Sequence, residues 1–274
     1  MSTSDRVAAD YARFREWARY AHEHGDSPAI AAATVVLLRN AEDGIETLML
    51  RKNSKIAFGG MWVFPGGRVD DSDRIGAGGT TLDDVAAARN AAAREAHEEA
   101  EIDVDPDSMV IFAHWIPPAI APKRYATWFF AARVKDRRDD EGAVRVDEGE
   151  IVEGEWMTPK ACLQRHHEGE VELAPPTWVT LATLRGHNSA EAALDYLKTR
   201  TPRHHATRIG NSEQGPVAMW AGDGGYEAND ATLGGPRHRL EMFPDGYRYV
   251  DTLEEGLGPA PGQDPAQDSE TPRP

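Results

Sequence analysis

The chain has 274 residues, enough to bury a sizeable core in one large domain or in a domain with appendages. Its 40% hydrophobic and 28% charged residues exclude full-length disorder and a collagen-like structure. With 30 Lys and Arg against 46 Asp and Glu, the formal net charge of −16 disfavours nonspecific binding to nucleic-acid backbones or anionic membranes. It leaves room for an enzyme that handles a small phosphate compound through a divalent metal.

Taken in chain order, residues 4–24 predict a helix, with Val7, Tyr11, Phe14, Trp17 and Ala21 at three- and four-residue steps and Ser4 as a cap. Ala31 to Arg39 predicts a buried strand, and Ile45 to Arg51 returns as its hairpin partner. A glycine-rich stretch follows, Gly59-Gly60 and then Phe64-Pro65-Gly66-Gly67, and residues 70–80 read as a polar loop. Thr81 to Ala100 is an alanine-dense helix opening on a Thr81-x-x-Asp84 capping pattern. Strands are predicted at 109–115, 124–134 and 151–157, a short helix from Pro159, and one or two helices over 177–199. Beyond Pro202 only short extended pieces stand out between glycines and prolines, and the acidic, proline-rich residues 254–274 are expected to be disordered. The single cysteine, Cys162, cannot make an intrachain disulfide, which fits a reducing compartment, and reads as a small buried apolar residue. No apolar run is long enough for a membrane span and no signal core opens the chain, so a cytoplasmic location is expected.

The informative string is Arg94-Glu95-Ala96-His97-Glu98-Glu99. At about 100° per residue, Glu95, Glu98 and Glu99 fall within an arc of roughly 100°. Such carboxylates repel one another unless a cation neutralises them, and hard oxygen ligands suit Mg²⁺ or Mn²⁺. A solvated acidic face is the plain alternative. Ala88, Ala91 and Ala92 are placed on the carboxylate side, where they admit a ligand or loop, and Leu82, Ala86, Ala93, Ala96 and Ala100 on a core-facing side. His97 lies away from the arc and reads as structural.

The segment resembles the Nudix box, G-x5-E-x7-R-E-U-x-E-E-x-G-U with U aliphatic. Gly67 matches the opening glycine, Asp73 stands at the first glutamate, and Arg94, Glu95, Glu98 and Glu99 match in register. The interval from Gly67 to Arg94 is 27 positions instead of 14, an insertion of 13 after Asp73. Ala96 takes the aliphatic site, Glu101 replaces the late glycine and Ile102 matches the final aliphatic. Trp62-Val63-Phe64-Pro65-Gly66-Gly67 is typical of the approach to the box, and Gly60-x3-Phe64-Pro65-Gly66-Gly67 also matches the end of a signature of coenzyme A-directed members. The block from Trp115 to Phe130 resembles the peroxisomal acyl-CoA/CoA diphosphatase-like branch, which usually has aspartate where Ala126 stands.

The resemblance implies an α/β fold, a Nudix α/β/α sandwich with a mixed sheet over 29–200. An N-terminal helix (1–28), a C-terminal extension (201–253) and the tail (254–274) complete the expected organisation. It implies a Mg²⁺- or Mn²⁺-dependent hydrolase of a nucleoside diphosphate linked to another moiety, with coenzyme A or acyl-CoA as the expected substrate. ADP-ribose, NADH and dinucleoside polyphosphates are the alternative substrates, and a non-catalytic ligand-binding or regulatory module the alternative role. Glu95, Glu98 and Glu99 would hold the metal; Glu95, Glu98, Glu150 and Arg94 are the catalytic candidates. Arg94 would orient a glutamate. Glu150, six residues before Trp156, would act as a base or extra ligand, although its acidic loop reads equally well as solvated. Arg51, Arg124, Phe64, Gly66 and Gly67 are the substrate-binding candidates. Surface charge is the alternative for the arginines, and core packing for Phe64 and for Trp62, Trp115, Tyr125 and Trp128. His204 and His205 are weak metal candidates. The expected partner is a small nucleotide diphosphate, with no bulk nucleic acid and no membrane, and a homodimer is compatible with the sequence. The inserted loop Arg74–Thr80 reads either as a lid or as a neutral insertion.

Overall fold

The computed structural model describes residues 3–42, 44–53, 59–136, 144 and 149–253; the expected disorder of 254–274 concerns residues outside these. The N-terminal helix α1 spans Thr3–His24. Strand β1, Ala29–Ala41, contains the run Val35 to Leu38, whose four side chains are fully buried. Such a continuous apolar run marks a strand covered on both faces. It pairs antiparallel with β2, Gly44–Lys52, and parallel with β6, Arg124–Arg133.

The sheet runs β3-β2-β1-β6-β5-β8, with β4 pairing β1 and β7 pairing β2. Here β3 is Trp62–Val63, β4 Gly66–Arg68, β5 Val110–Ile116, β7 Ile151–Met157 and β8 Arg203–Ala206. One face carries α2, Asp84–Ala100. On the other lie α3 (Pro159–His167), α4 (Pro175–Leu184) and α5 (Ala190–Lys198), which gives the expected mixed-sheet α/β architecture.

Two readings of α2 are corrected. Its N-cap is Asp83, whose carboxylate accepts the Ala86 N–H at 2.8 Å, whereas Thr81 lies before the helix and bridges to Ile75. Ala88, Ala91, Ala92 and Ala96 are fully buried against Ala33, Val35, Leu37, Leu48 and Leu50, while Ala86 and Ala93 are only half-buried. The small residues therefore bring the helix close to the sheet instead of admitting a ligand, and the glutamates come with them.

Beyond Pro202 the short extended pieces prove to be five strands. β8 joins the main sheet beside β5; β9 (Arg208–Asn211), β10 (Pro216–Met219), β11 (His238–Phe243) and β12 (Gly246–Asp251) form a second, antiparallel sheet. Trp220, Leu240 and Met242 share one apolar cluster with Trp115, Trp178 and Phe129. α1 packs here too, with the Tyr247 hydroxyl donating to Asp10 at 2.9 Å. A buried two-pronged pair closes the β10–β11 connection, Arg239 donating to Asp223 at 2.6 and 2.7 Å. His205 is buried and stacked on Trp115 at 3.7 Å, and its two ring nitrogens have no hydrogen-bond partner among the described residues. Burial keeps its pKa well below the ordinary 6.5, hence neutral.

Candidate active site

Gly66 and Gly67 sit in β4, opposite Thr34 and Ala33 of β1. A Cβ at Gly66 would overlap the Ala33 carbonyl, and one at Gly67 would overlap the Glu95 carboxylate. Glycine at 66 lets the turn lie against β1, and glycine at 67 lets Glu95 of α2 come down onto this backbone. Gly66 N–H donates to Glu99 Oε2 at 2.9 Å, so the turn holds a box glutamate directly.

Around Arg94 the box closes into a network. Its Nε and Nη2 donate to the two oxygens of Asp73 at 3.1 and 2.9 Å, Nη2 also donates to the Arg68 carbonyl at 3.0 Å, and Nη1 reaches Glu95 at 2.8 Å and Glu98 at 2.9 Å. These partners raise its pKa further above the ordinary arginine value, the Asp73 bond most of all. Asp73 thus stands where the motif predicts a glutamate, and the insertion after it folds back. Arg74 pairs with Asp84 at 2.9 Å, and Gly76 N–H bonds the Thr80 carbonyl at 2.8 Å.

Glu99 is 5% exposed, and burial, opposed by Lys52 and the Gly66 N–H, moves its pKa up to about 7. Burial also raises Glu95, with Arg94 acting against the shift. Glu98 is exposed. Lys52 Nζ lies 3.8 Å from Glu99 and 3.6 Å from Glu150. Glu150 is tethered to this edge by its backbone, its carbonyl accepting Asn53 N–H at 2.7 Å.

The other candidates lie elsewhere. Arg51 pairs with Glu153 at 3.0 Å on β7, and its neighbour Met49 belongs to the cluster on the face away from α2. Arg124 donates to the Pro117 and Ser27 carbonyls at 3.2 and 2.8 Å, tying loops together. Phe64 is 3% exposed and edge-on to Phe129 in the core, as Trp62 and Trp115 are buried there. Cys162 is buried, its thiol pushed up to about 12. Exposed His97 pairs with Asp103, away from the carboxylates. The register aligns Gly67, Ala33, Trp128, His114 and His204 across five strands on the α2 face. Trp128 and His114 stack at 3.8 Å and remain partly exposed.

The NUDIX domain family matches residues 29–175, more than half of the chain. The chain belongs to the Nudix family. A Caenorhabditis elegans protein named "Putative nudix hydrolase 7" is 32% identical over 78 residues, which span 28% of this chain and 25% of that relative. A solved NUDIX hydrolase from Alicyclobacillus acidocaldarius is 23% identical with a TM-score of 0.53, over 64% of this chain and 99% of its own. It shows the same fold. The NUDIX domain of Shewanella oneidensis NrtR, solved with ADP ribose, is 14% identical with a TM-score of 0.43, over 62% of this chain and 90% of its own. The family match supports a Nudix hydrolase, and Nudix hydrolases generally use divalent metals.

The donor set of this Nudix box, three carboxylates on one helix, suits a hard divalent cation. The charges of neighbouring carboxylates point the same way, since Glu98 adds to the upward shift of Glu95 and Glu95 to that of Glu99. Among the described residues no three acidic, His or Cys side chains converge tightly enough to form a ready-made cage. The reason is visible: Arg94 holds Glu95 and Glu98, while Gly66 and Lys52 hold Glu99. Lys52 escaped the sequence reading, although its place two residues after Leu50, in the row Leu48, Leu50, Lys52, would have put it on the α2 face.

Proposed function

We propose that the chain is a Mg²⁺- or Mn²⁺-dependent pyrophosphohydrolase of nucleoside diphosphates linked to another moiety. The observation that carries this reading is the arrangement of Glu95, Glu98 and Glu99 over the Gly66-Gly67 backbone, with Arg94 braced by Asp73. Glu95, Glu98 and Glu99 would hold the metal, which supplies charge neutralisation at the diphosphate oxygens and polarises the attacking water. Arg94 fixes the rotamers of Glu95 and Glu98, so little reorganisation is needed during reaction. Glu150, which flanks the same opening beside Lys52, would act as a base or an extra ligand. Gly66 and Gly67 keep the turn close to β1 and leave room for the Glu95 carboxylate beside it. The partly exposed Trp128 and His114 rings extend from Ala33 along the same face and offer a stacking surface for the nucleoside.

Coenzyme A or acyl-CoA is the substrate we favour, on the Gly60-x3-Phe64-Pro65-Gly66-Gly67 signature. The test is product analysis with coenzyme A, acyl-CoA, ADP-ribose, NADH and a dinucleoside polyphosphate, with Mg²⁺ and Mn²⁺ in separate arms. Cleavage of coenzyme A thioesters with the highest kcat/KM supports the reading. Preference for ADP-ribose, NADH or the polyphosphate moves the enzyme to another substrate class. No metal-dependent turnover on any of them overturns it in favour of a binding module.

A further inference from the structure

The carboxylate site contains a cation of its own besides Arg94. Lys52 ends β2 at a point where the pairing with β7 slips: Arg51 faces Glu153, but Lys52 faces Ile151. Its backbone is pinned on both sides, the N–H donating to Met61 O at 3.0 Å and the carbonyl accepting Gly60 N–H at 2.9 Å. The side chain is only 15% exposed, and its ammonium ends between Glu99 at 3.8 Å and Glu150 at 3.6 Å. Those separations exceed the 2.7–3.2 Å of a directed N–H···O bond. Charge, more than hydrogen-bond geometry, therefore holds Lys52 on a flexible four-carbon stem. Arg94 differs, being fixed by Asp73 and the Arg68 carbonyl.

We propose that Lys52 is a built-in counter-ion that competes with the divalent metal for the Glu99–Glu150 side of the site and turns to the anionic diphosphate when displaced. The proposal rests on the hydrolase reading above. Two cations cannot share Glu99 without repulsion, so Lys52 weakens metal binding by the free protein. An anionic diphosphate removes the conflict by giving the displaced ammonium a new partner. Metal and substrate binding then reinforce each other, and the coupling acts in both directions.

The test is Mn²⁺ binding to the full-length protein without substrate, followed by the electron paramagnetic resonance of free Mn²⁺. Lys52→Met should bind Mn²⁺ about tenfold more tightly than wild type, within the usual range of coupling between two ligands. Lys52→Arg, which keeps the charge, should stay near wild type. A non-hydrolysable methylene analogue of ADP should tighten Mn²⁺ binding in wild type more than in Lys52→Met. Lys52→Gln replaces Lys52→Met in the comparison if the latter does not melt cooperatively. Mn²⁺ binding by wild type with equal or lower affinity in the neutral variant overturns the role of Lys52 alone. Absence of Mn²⁺ binding in both overturns the metal site itself, and with it the hydrolase reading.

Discussion

Arg94 and Asp73 meet in a two-pronged ion pair, 3.1 and 2.9 Å, that joins α2 to the start of the inserted loop. The Asp73 side chain is nearly buried and the Arg94 side chain a quarter exposed. The pair sets the position from which Arg94 reaches Glu95 and Glu98. Asp73→Asn removes the charge and one of the two acceptors. It should lower stability by about 1–3 kcal/mol, the scale of a hydrogen bond to a charged group, and cut kcat more than it raises KM. Asp73→Glu should retain most of both. Thermal melts and steady-state kinetics on the three proteins check this; wild-type kcat in Asp73→Asn would show that Arg94 needs no brace.

Glu101 ends α2 in the left-handed region, φ 53° and ψ 33°, with its N–H bonded back to the helix carbonyls of Ala96 and His97. This is the position where the Nudix box has glycine, and the geometry explains why: a left-handed C-terminal cap favours a residue without a Cβ. Glu101→Gly should therefore raise stability by about 0.5–1 kcal/mol, the left-handed strain relieved less the added chain entropy of glycine. An increase in melting temperature with unchanged turnover is expected. A decrease would mean that the Glu101 side chain contributes more than its backbone strain costs.

How far the sequence revealed this site depended on the range of each contact. Box register was legible through the insertion because Arg94, Glu95, Glu98 and Glu99 lie on one helix, where spacing alone fixes geometry. Counting from Gly67 puts Asp73 at the first box glutamate, and in the structure it pairs with Arg94. Lys52 drew no role from the sequence, because its two partners are Glu99 of α2 and Glu150 in the loop just before β7. Arg51 and Arg124 left phosphate binding and surface charge both open, because a lone arginine carries no record of its partners, here Glu153 and two loop carbonyls. Strands β9–β12 are short and broken by Gly210, Gly215 and Gly246, so no period could form. Asp223 and Arg239, buried together, read in sequence as two surface charges.

Glu99 gives the metal-free protein a pH dependence of defined sign. Its folded pKa of about 7 lies above the ordinary 4.5, so between these values the folded chain holds a proton that the unfolded chain has lost. The stabilising contribution is complete below about pH 4.5 and is lost as pH rises through about 7. Glu99→Gln mimics the protonated form. In the presence of a chelator, its melting temperature should match wild type near the acid end of this window and exceed it above the window. A constant offset between the two proteins at every pH would contradict the burial of a titrating carboxylate.

Glu95, Glu98 and Glu99 are proposed to hold a metal that drives diphosphate cleavage. The most direct measurement is kcat of wild type and Glu98→Gln at saturating Mg²⁺, on whichever substrate of the panel is cleaved best, with circular dichroism to confirm the fold. Glu98 is exposed and touches only Arg94 among the described contacts, so the substitution should leave the structure intact. The expected result is a loss of about 10²-fold or more, the scale of removing one strong electrostatic element. Wild-type turnover in a folded Glu98→Gln protein would contradict the account.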